Sequence, residues 1–261
     1  MSITLRSAAE IEKLARVNAL VARVLQELAT AVKPGVTTKQ LDELAEQRLK
    51  EAGAEPAFKG YHGYPATICA SVNEEVVHGI PSNRALIEGD IISIDMGAKL
   101  DGFYGDSAVT VPVGRVSAEA ERLLEVTRTA LERAVAAVRA GARVSDIGAA
   151  VQSYVEANGF SVVREFVGHG IGTSLHEEPQ IPNYGTAGRG PRLERGMALA
   201  IEPMVNAGKP AVKVLGDGWT AVTKDRALSA HFEHTVVVTD DGCRVLTLPP
   251  ALATAGERVS A

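Results

Sequence analysis

Two cysteines, Cys69 and Cys243, are too few for a disulfide framework, and no zinc-type cysteine spacing exists. A reducing compartment is therefore expected. Positive charge is not in excess either, since 27 basic residues stand against 32 acidic ones for a net charge of −5. That balance argues against a general nucleic-acid binder and against specific nucleic-acid readout. No window approaches the roughly 18 apolar residues of a membrane span, and Met1-Ser-Ile-Thr-Leu-Arg-Ser lacks the apolar run of a signal peptide. The expectation is a soluble, cytoplasmic protein with no membrane partner. Long structureless stretches are also scarce, with Gly- and Pro-rich connections at 183 to 196 and 206 to 228 and a disordered tail expected at 249 to 261.

What is present is enough apolar sequence, 46% of 261 residues, for a large core in one domain or two. Apolar residues Ile11, Leu14, Val17, Val21, Val24, Leu25 and Leu28 recur at helical spacing over 8 to 31, with Ser7 as the N-cap candidate. Thr37 or Thr38 caps a second helix ending near Ala52, where Gly53 stops it. The pattern returns with a helix from Glu119 to Ala140 and another from Ser145 to Ala157. At an offset of 106 without gaps, Gly35 falls on Gly141, Leu25 on Leu131, Leu41 on Ile147, Leu49 on Val155 and Gly53 on Gly159. Strands follow each helix pair, at 66 to 72, 90 to 98 and 104 to 112, then at 161 to 167, 197 to 204 and 231 to 239. This reads as a duplicated helix-helix-strand-strand-strand unit, with pseudo-repeats at about 8 to 113 and 114 to 248 in one α+β domain spanning 1 to 248. The sheets would form a central antiparallel surface covered by helices, with any site between the halves.

The stretch Asp90-Ile-Ile-Ser-Ile-Asp-Met-Gly-Ala-Lys-Leu-Asp-Gly-Phe-Tyr-Gly-Asp-Ser-Ala-Val-Thr-Val-Pro reads as two apolar strands around an Asp101-Gly102 turn. Each strand carries one aspartate among apolar residues. A loop centred between Leu100 and Asp101 puts Asp95 opposite Asp106; a two-residue loop at Asp101-Gly102 shifts the register by two and leaves them diagonal on one face; a three-residue loop separates them. Two carboxylates on one face repel unless a cation or proton joins them, the alternative being solvated acids on an exposed face.

The second half also places an acid in each of its last two strands. Glu202 interrupts Met197-Ala-Leu-Ala-Ile-Glu-Pro-Met-Val, and Glu233 interrupts His231-Phe-Glu-His-Thr-Val-Val-Val. Four clustered carboxylates match the charge of two divalent cations. Gly168-His-Gly-Ile-Gly-Thr-Ser-Leu-His is the candidate histidine source, its glycines read as letting the backbone come close to a ligand. Carboxylates joined by His169 suit Mn, Fe(II), Co or Zn better than an all-oxygen calcium site.

With these motifs, the chain resembles the type I methionine aminopeptidases of peptidase family M24 over nearly its whole length. The resemblance rests on Gly60-Tyr-His-Gly-Tyr-Pro, Asn73-Glu-Glu-Val-Val-His-Gly-Ile-Pro, the Asp95 to Asp106 hairpin, Gly168-His-Gly-Ile-Gly, Ala200-Ile-Glu-Pro-Met and His231-Phe-Glu-His-Thr, all in this order. It implies the pseudo-two-fold "pita-bread" (creatinase/aminopeptidase) fold and metal-dependent removal of the initiator methionine from nascent proteins and peptides when the second residue is small.

The resemblance also implies site residues. Asp95, Asp106, His169, Glu202 and Glu233 would hold two divalent ions (Co, Mn, Fe(II), Ni or Zn), with Asp106 and Glu233 bridging. Glu202 would also move the proton, His176 would stabilise the tetrahedral oxygen and His78 would contact the scissile amide. The substrate pocket would be lined by Phe58, Tyr61, Tyr64, Cys69, Leu175 and Trp219 beside His78 and His176. Composition alone reads the Phe58, Tyr61 and Tyr64 cluster as core packing. Leu175 departs from the phenylalanine of several relatives. Asn73 and Ser229 fall where some relatives bind a monovalent cation. A monomer with transient ribosome contact is the expected assembly.

The short stretch before the first core strand suggests the short bacterial form and leaves no room for the N-terminal domain of prolidase-like relatives. The spacings from His176 to Glu202 and on to Glu233 leave no space for the type II insertion. This Met-Ser chain would itself be a substrate. Two other readings are weaker: a same-fold dipeptidase or X-Pro aminopeptidase, disfavoured by length, and a metal-dead binding module, which would need at least one ligand position replaced, and none is.

Overall fold

The computed structural model describes residues 3–248, so the tail expected at 249 to 261 lies outside the described residues. Among the described residues there are four α-helices, three of them opened by Ser or Thr caps. Helix α1 spans Ala8–Ala31 and α2 spans Thr38–Glu51, opened by capping boxes in which Ser7 and Thr37 exchange hydrogen bonds with Glu10 and Gln40. Helix α3 spans Ala118–Ala136 behind Ser117, and α4 spans Val144–Ala157. Helix α3 stops four residues before the expected Ala140. Residues 137 to 140 carry no breaker, yet the chain turns there so that the Gly141 N–H can donate to the Leu193 carbonyl at 2.9 Å.

The internal repeat is visible in matched backbone bonds. Gly35 donates to Leu86 and Leu86 to Val36, each at 2.8 Å; Gly141 donates to Leu193 and Leu193 to Ala142 at 2.9 and 2.8 Å. Single antiparallel bridges, Thr37 to Ala85 and Arg143 to Arg192, follow at the same place in each half. Gly35 and Gly141 adopt φ of 91° and 86°, a left-handed conformation that a side chain would strain. Two apolar clusters follow the halves. One packs α1 and α2 on the first hairpin; the other packs α3 and α4 on the strands of the second half, and Val109 touches both.

Among the described residues the strands divide into four antiparallel sheets rather than one continuous sheet. The hairpin of Ile91–Leu100 and Phe103–Pro112 pairs further with Glu55–Pro56 and Ile68–Val72. In the second half, Ala198–Ile201 lies between Gly168–Gly170 and His234–Val238, with Glu177–Ile181 and Cys243–Val245 at the two edges. Met204–Asn206 pairs with Ser229–His231 and Ser161–Val162. The region from 206 to 228, expected as a plain connection, instead folds a hairpin of Val212–Val214 and Ala221–Thr223. It pairs with Glu75–Val77 and thereby ties the halves together.

Two expected strands are broken at the acids. Ile201 faces His234, and Met204 faces His231 in a separate ladder. The pairing keeps register across the break, so Glu202 falls opposite Glu233 where both strands leave one sheet for another. Pro203, which lacks an N–H, sits in that gap. The strand expected over 161 to 167 is likewise only Ser161–Val162, and the next strand begins at Gly168.

Candidate active site

The turn at Asp101-Gly102 has φ of 50° and 81° at its two central residues, the combination a two-residue hairpin loop requires. Leu100 therefore pairs with Phe103, Asp95 with Ala108 and Asp106 with Gly97. The two aspartates lie diagonally on one face, the second of the three registers considered above.

Hydroxyl groups stitch this hairpin to the second half. Ser107 Oγ donates to the Glu233 carbonyl at 2.7 Å, and Thr235 Oγ1 donates to the Asp106 carbonyl at 2.8 Å. Thr110 Oγ1 donates to the His231 carbonyl at 2.7 Å and accepts from the His231 N–H at 2.8 Å. The Glu233 N–H donates to Ala108 at 2.9 Å. Buried donors and acceptors are thus satisfied along the seam, and Glu233 is carried beside Asp106.

His169 sits in a strand rather than a loop, facing Ala200 two residues ahead of Glu202. The glycines flanking it serve neighbouring strands, not a ligand. A Cβ on Gly168 would stand 2.4 Å from the Ala200 oxygen, and one on Gly170 would stand 2.3 Å from the Glu178 oxygen. His169 Nδ1 lies 2.9 Å from the Gly170 carbonyl, so it carries the hydrogen and Nε2 is the free acceptor. That Nε2 is 3.6 Å from Glu202 Oε1 and 4.0 Å from Asp106 Oδ2. One donor atom each from Asp106, His169 and Glu233 lies within 4.8 Å of the other two.

The electrostatics call for a cation. Burial pushes the Glu202 carboxyl up to about 8 and that of Asp95 up to about 7. Asp106 and Glu233 are driven well above the ordinary carboxylate range by burial first and neighbouring acids second. Asp95 Oδ1, Asp106 Oδ1 and Glu233 Oε1 are buried without a hydrogen-bond partner. His169, pushed down to about 3 by burial, is neutral and able to ligate. Orphaned oxygens and a free imidazole nitrogen at these separations fit divalent metal ions.

The acids open onto a cavity of about 210 Å³. At about 30 Å³ per water this holds some seven waters, enough for one side chain with its adjoining backbone. Every sequence-predicted ligand and pocket residue lines it: Asp95, Asp106, His169, Glu202 and Glu233 of the expected ligand set, with Phe58, Tyr61, Tyr64, Cys69, His78, Leu175, His176 and Trp219. The Tyr64 and Trp219 rings meet edge-to-face at 5.1 Å, and the Tyr64 hydroxyl donates to backbone carbonyls, so the aromatic cluster is both packing and cavity wall. Burial raises the Cys69 thiol well above its ordinary range, which makes Cys69 an apolar wall rather than a nucleophile. Burial lowers His78 to about 4 and also lowers His176. Asn73 and Ser229 stand apart from the cavity wall, joined by an Ser229 N–H to Asn73 carbonyl bond of 2.9 Å.

Sequence reasoning missed His62, Val77, Phe166 and Val167 in the wall. It also missed His231, buried with Nε2 at 3.6 Å from Glu202 Oε2. His231 and Glu233 are two apart in an extended segment, and that period of two was the available signal.

The model of metallopeptidase family M24 matches residues 12–240. The chain belongs to metallopeptidase family M24. Within the family it is 56% identical to methionine aminopeptidase 1 of Bacillus subtilis (strain 168) over 228 residues, 87% of this chain and 92% of that protein. The crystal structure of methionine aminopeptidase from Rickettsia prowazekii superimposes with a TM-score of 0.93 at 42% identity, covering 95% of this chain and 100% of that one. The X-Pro aminopeptidase from Thermotoga maritima MSB8 shares the fold, with a TM-score of 0.75, but only 23% identity, and the match covers 63% of its chain. The M24 chain thus has the pita-bread fold and is a hydrolase of the aminopeptidase type that binds divalent metal.

Proposed function

We propose that this M24 enzyme is a methionyl aminopeptidase that removes the initiator methionine from nascent proteins and peptides whose second residue is small. The observation that carries the reading is the junction of the Asp106, His169 and Glu233 donor cluster with a mainly apolar cavity of about 210 Å³ that opens to the surface. The relatives that match it over most of their length carry the same activity in their names.

Asp95, Asp106, His169, Glu202 and Glu233 would hold two divalent ions drawn from Co, Mn, Fe(II), Ni or Zn. Bound there, the ions supply Lewis acidity and a nucleophilic water at neutral pH. Phe58, Tyr64, Cys69, Leu175 and Trp219 receive the methionine side chain, whose thioether gains from aromatic edges. Glu202 takes the proton of the attacking water and returns it to the leaving amide nitrogen. The Tyr61 hydroxyl lies 2.7 Å from His176 Nδ1, and in the tautomer in which that hydroxyl donates, the Nε2–H is the donor for oxygen charge developing at the scissile carbonyl. His78 contacts the scissile amide.

The protein acts as a cytoplasmic monomer with transient ribosome contact, without membrane attachment or sequence-specific nucleic-acid binding. Its net charge is −5, and among the described residues no helix is long and apolar enough to cross a membrane. A monovalent cation would bind at Asn73, whose backbone is left-handed at φ 58°, and at Ser229.

The test is methionine release from Met-Ala-Ser by protein stripped with chelator and resupplied separately with Mn, Fe(II), Co and Zn without oxygen. Release restored by metal, and absent with Ala-Pro-Ser, is expected. Cleavage of Ala-Pro-Ser instead would assign the X-Pro class. A Glu202→Gln protein with near-normal turnover would remove the proton-transfer role.

A further inference from the structure

His176 and Leu175 enter the cavity from residues 171 to 176, a stretch with no regular secondary structure between the strands Gly168–Gly170 and Glu177–Ile181. One carboxylate gathers this stretch. Glu177 Oε1 accepts the Thr173 N–H at 2.9 Å, the Ser174 N–H at 3.1 Å and the Thr173 hydroxyl at 3.4 Å. Its other oxygen, Oε2, pairs with the guanidinium of Arg6.

Arg6 belongs to the segment ahead of α1, far from His176 in sequence. Its side chain is only 4% exposed, and its N–H donates to the Gly196 carbonyl at 2.8 Å. The guanidinium fills the space beside Gly172 so closely that any Cβ there would overlap it. Gly172 in turn accepts from the Tyr104 N–H at 2.8 Å. Burying an ion pair is a poor way to add stability, because apolar residues of similar volume do as well or better. What the pair fixes is geometry: the guanidinium sets the carboxylate, and the carboxylate sets two consecutive N–H groups just ahead of Leu175 and His176.

We propose that Arg6, acting through Glu177, is a positioning residue for His176. Arg6 and Glu177 fix the backbone that carries the imidazole, and the Tyr61 hydroxyl fixes Nδ1 from the other side. The inference rests on the reading of His176 as a hydrogen-bond donor in the reaction.

The test measures kcat for Met-Ala-Ser with the manganese-loaded enzyme for Arg6→Met, Arg6→Lys and Glu177→Gln, each alone and combined with His176→Ala. Because a displacement of about 1 Å remote from the chemistry can cost about 10²-fold, Arg6→Met alone should lower kcat by about 10- to 100-fold. Arg6→Lys, which keeps the charge but loses the planar fork, should recover part of that loss. With His176→Ala already present, Arg6→Met and Glu177→Gln should add no loss beyond about twofold, the scatter of independent sites. Nitrogen NMR of histidine-labelled, zinc-loaded protein should show the His176 ring resonances displaced in Arg6→Met while those of His234 stay in place.

Equal fold losses in both backgrounds, or an unchanged His176 resonance, would overturn the positioning role and leave that of His176 standing. Full turnover in His176→Ala alone would remove both. Glu177→Gln retains the acceptor for Thr173 and Ser174, so it provides the same comparison if Arg6→Met does not fold.

Discussion

His231 Nε2 stands 3.6 Å from Glu202 Oε2, and it is buried without a hydrogen-bond partner. Glu202 is therefore flanked by two imidazoles, His169 on Oε1 and His231 on Oε2. Groups behind metal ligands commonly govern affinity by about 10- to 100-fold. His231→Leu should weaken divalent-metal binding by that amount in calorimetric titration, and His231→Gln, which keeps a donor, should weaken it less. Equal affinities for Leu and Gln would show that His231 only fills space.

Tyr61→Phe removes the hydroxyl that holds His176 Nδ1 but leaves the ring in the cavity wall. Deleting an oxyanion donor outright costs about 10²–10³-fold in kcat, and loosening one should cost less, about tenfold. Steady-state kinetics should show this fall with KM nearly unchanged.

Metal-free protein should lose stability as pH rises. Above about pH 4 an unfolded chain has released its carboxyl protons, while folded Asp95, Asp106, Glu202 and Glu233 still bind theirs, so the folded state is the one that loses by deprotonation. Buried His78 and His169, whose folded values are depressed, impose the opposite slope, but only below about pH 6.5. Between about pH 6.5 and 8 the acids set the slope, and toward pH 8.5 the raised Cys69 and Cys243 thiols add to it in the same direction. Chelated protein should melt at progressively lower temperature across this range, at about 2–4 °C per kcal/mol, and added Mn or Zn should flatten the trend. A Tm that climbs toward pH 8.5 in chelator would contradict the buried-acid account.

Gly168→Ala should destabilise the chain by about 1–3 kcal/mol or more, because the new Cβ meets the Ala200 oxygen at 2.4 Å and backbone cannot yield as a side chain does. Urea unfolding with chelator present measures this directly. Metal affinity should fall as well, since the substitution pushes His169 away from the strand that leads to Glu202.

Much of this arrangement was legible where local chemistry is self-sufficient. Ser7, Thr37 and Gly53 fixed helix ends because caps act within one turn, and Asp101-Gly102 fixed the hairpin register because few residues tolerate its backbone. The duplication showed in residues whose roles are local, above all Gly35 and Gly141. Features set by distant chain segments were not legible. Nothing in the apolar runs around Glu202 and Glu233 announced that both strands change sheets there, apart from Pro203. The end of α3 at Ala136 precedes a turn that carries Gly141 to its bond with Leu193, and the cavity faces of Val77 and Phe166 depend on which strands converge.

The proposed donor set runs from Asp95 in the first half to Glu233 in the second, with Glu202 and Glu233 brought opposite each other only where two strands part. No half of the chain can gather it during synthesis or after proteolysis. Capture of metal by the full proposed set would therefore double as an inspection of the finished molecule, because a chain that is truncated, misregistered or docked in the wrong order cannot bring all five side chains together.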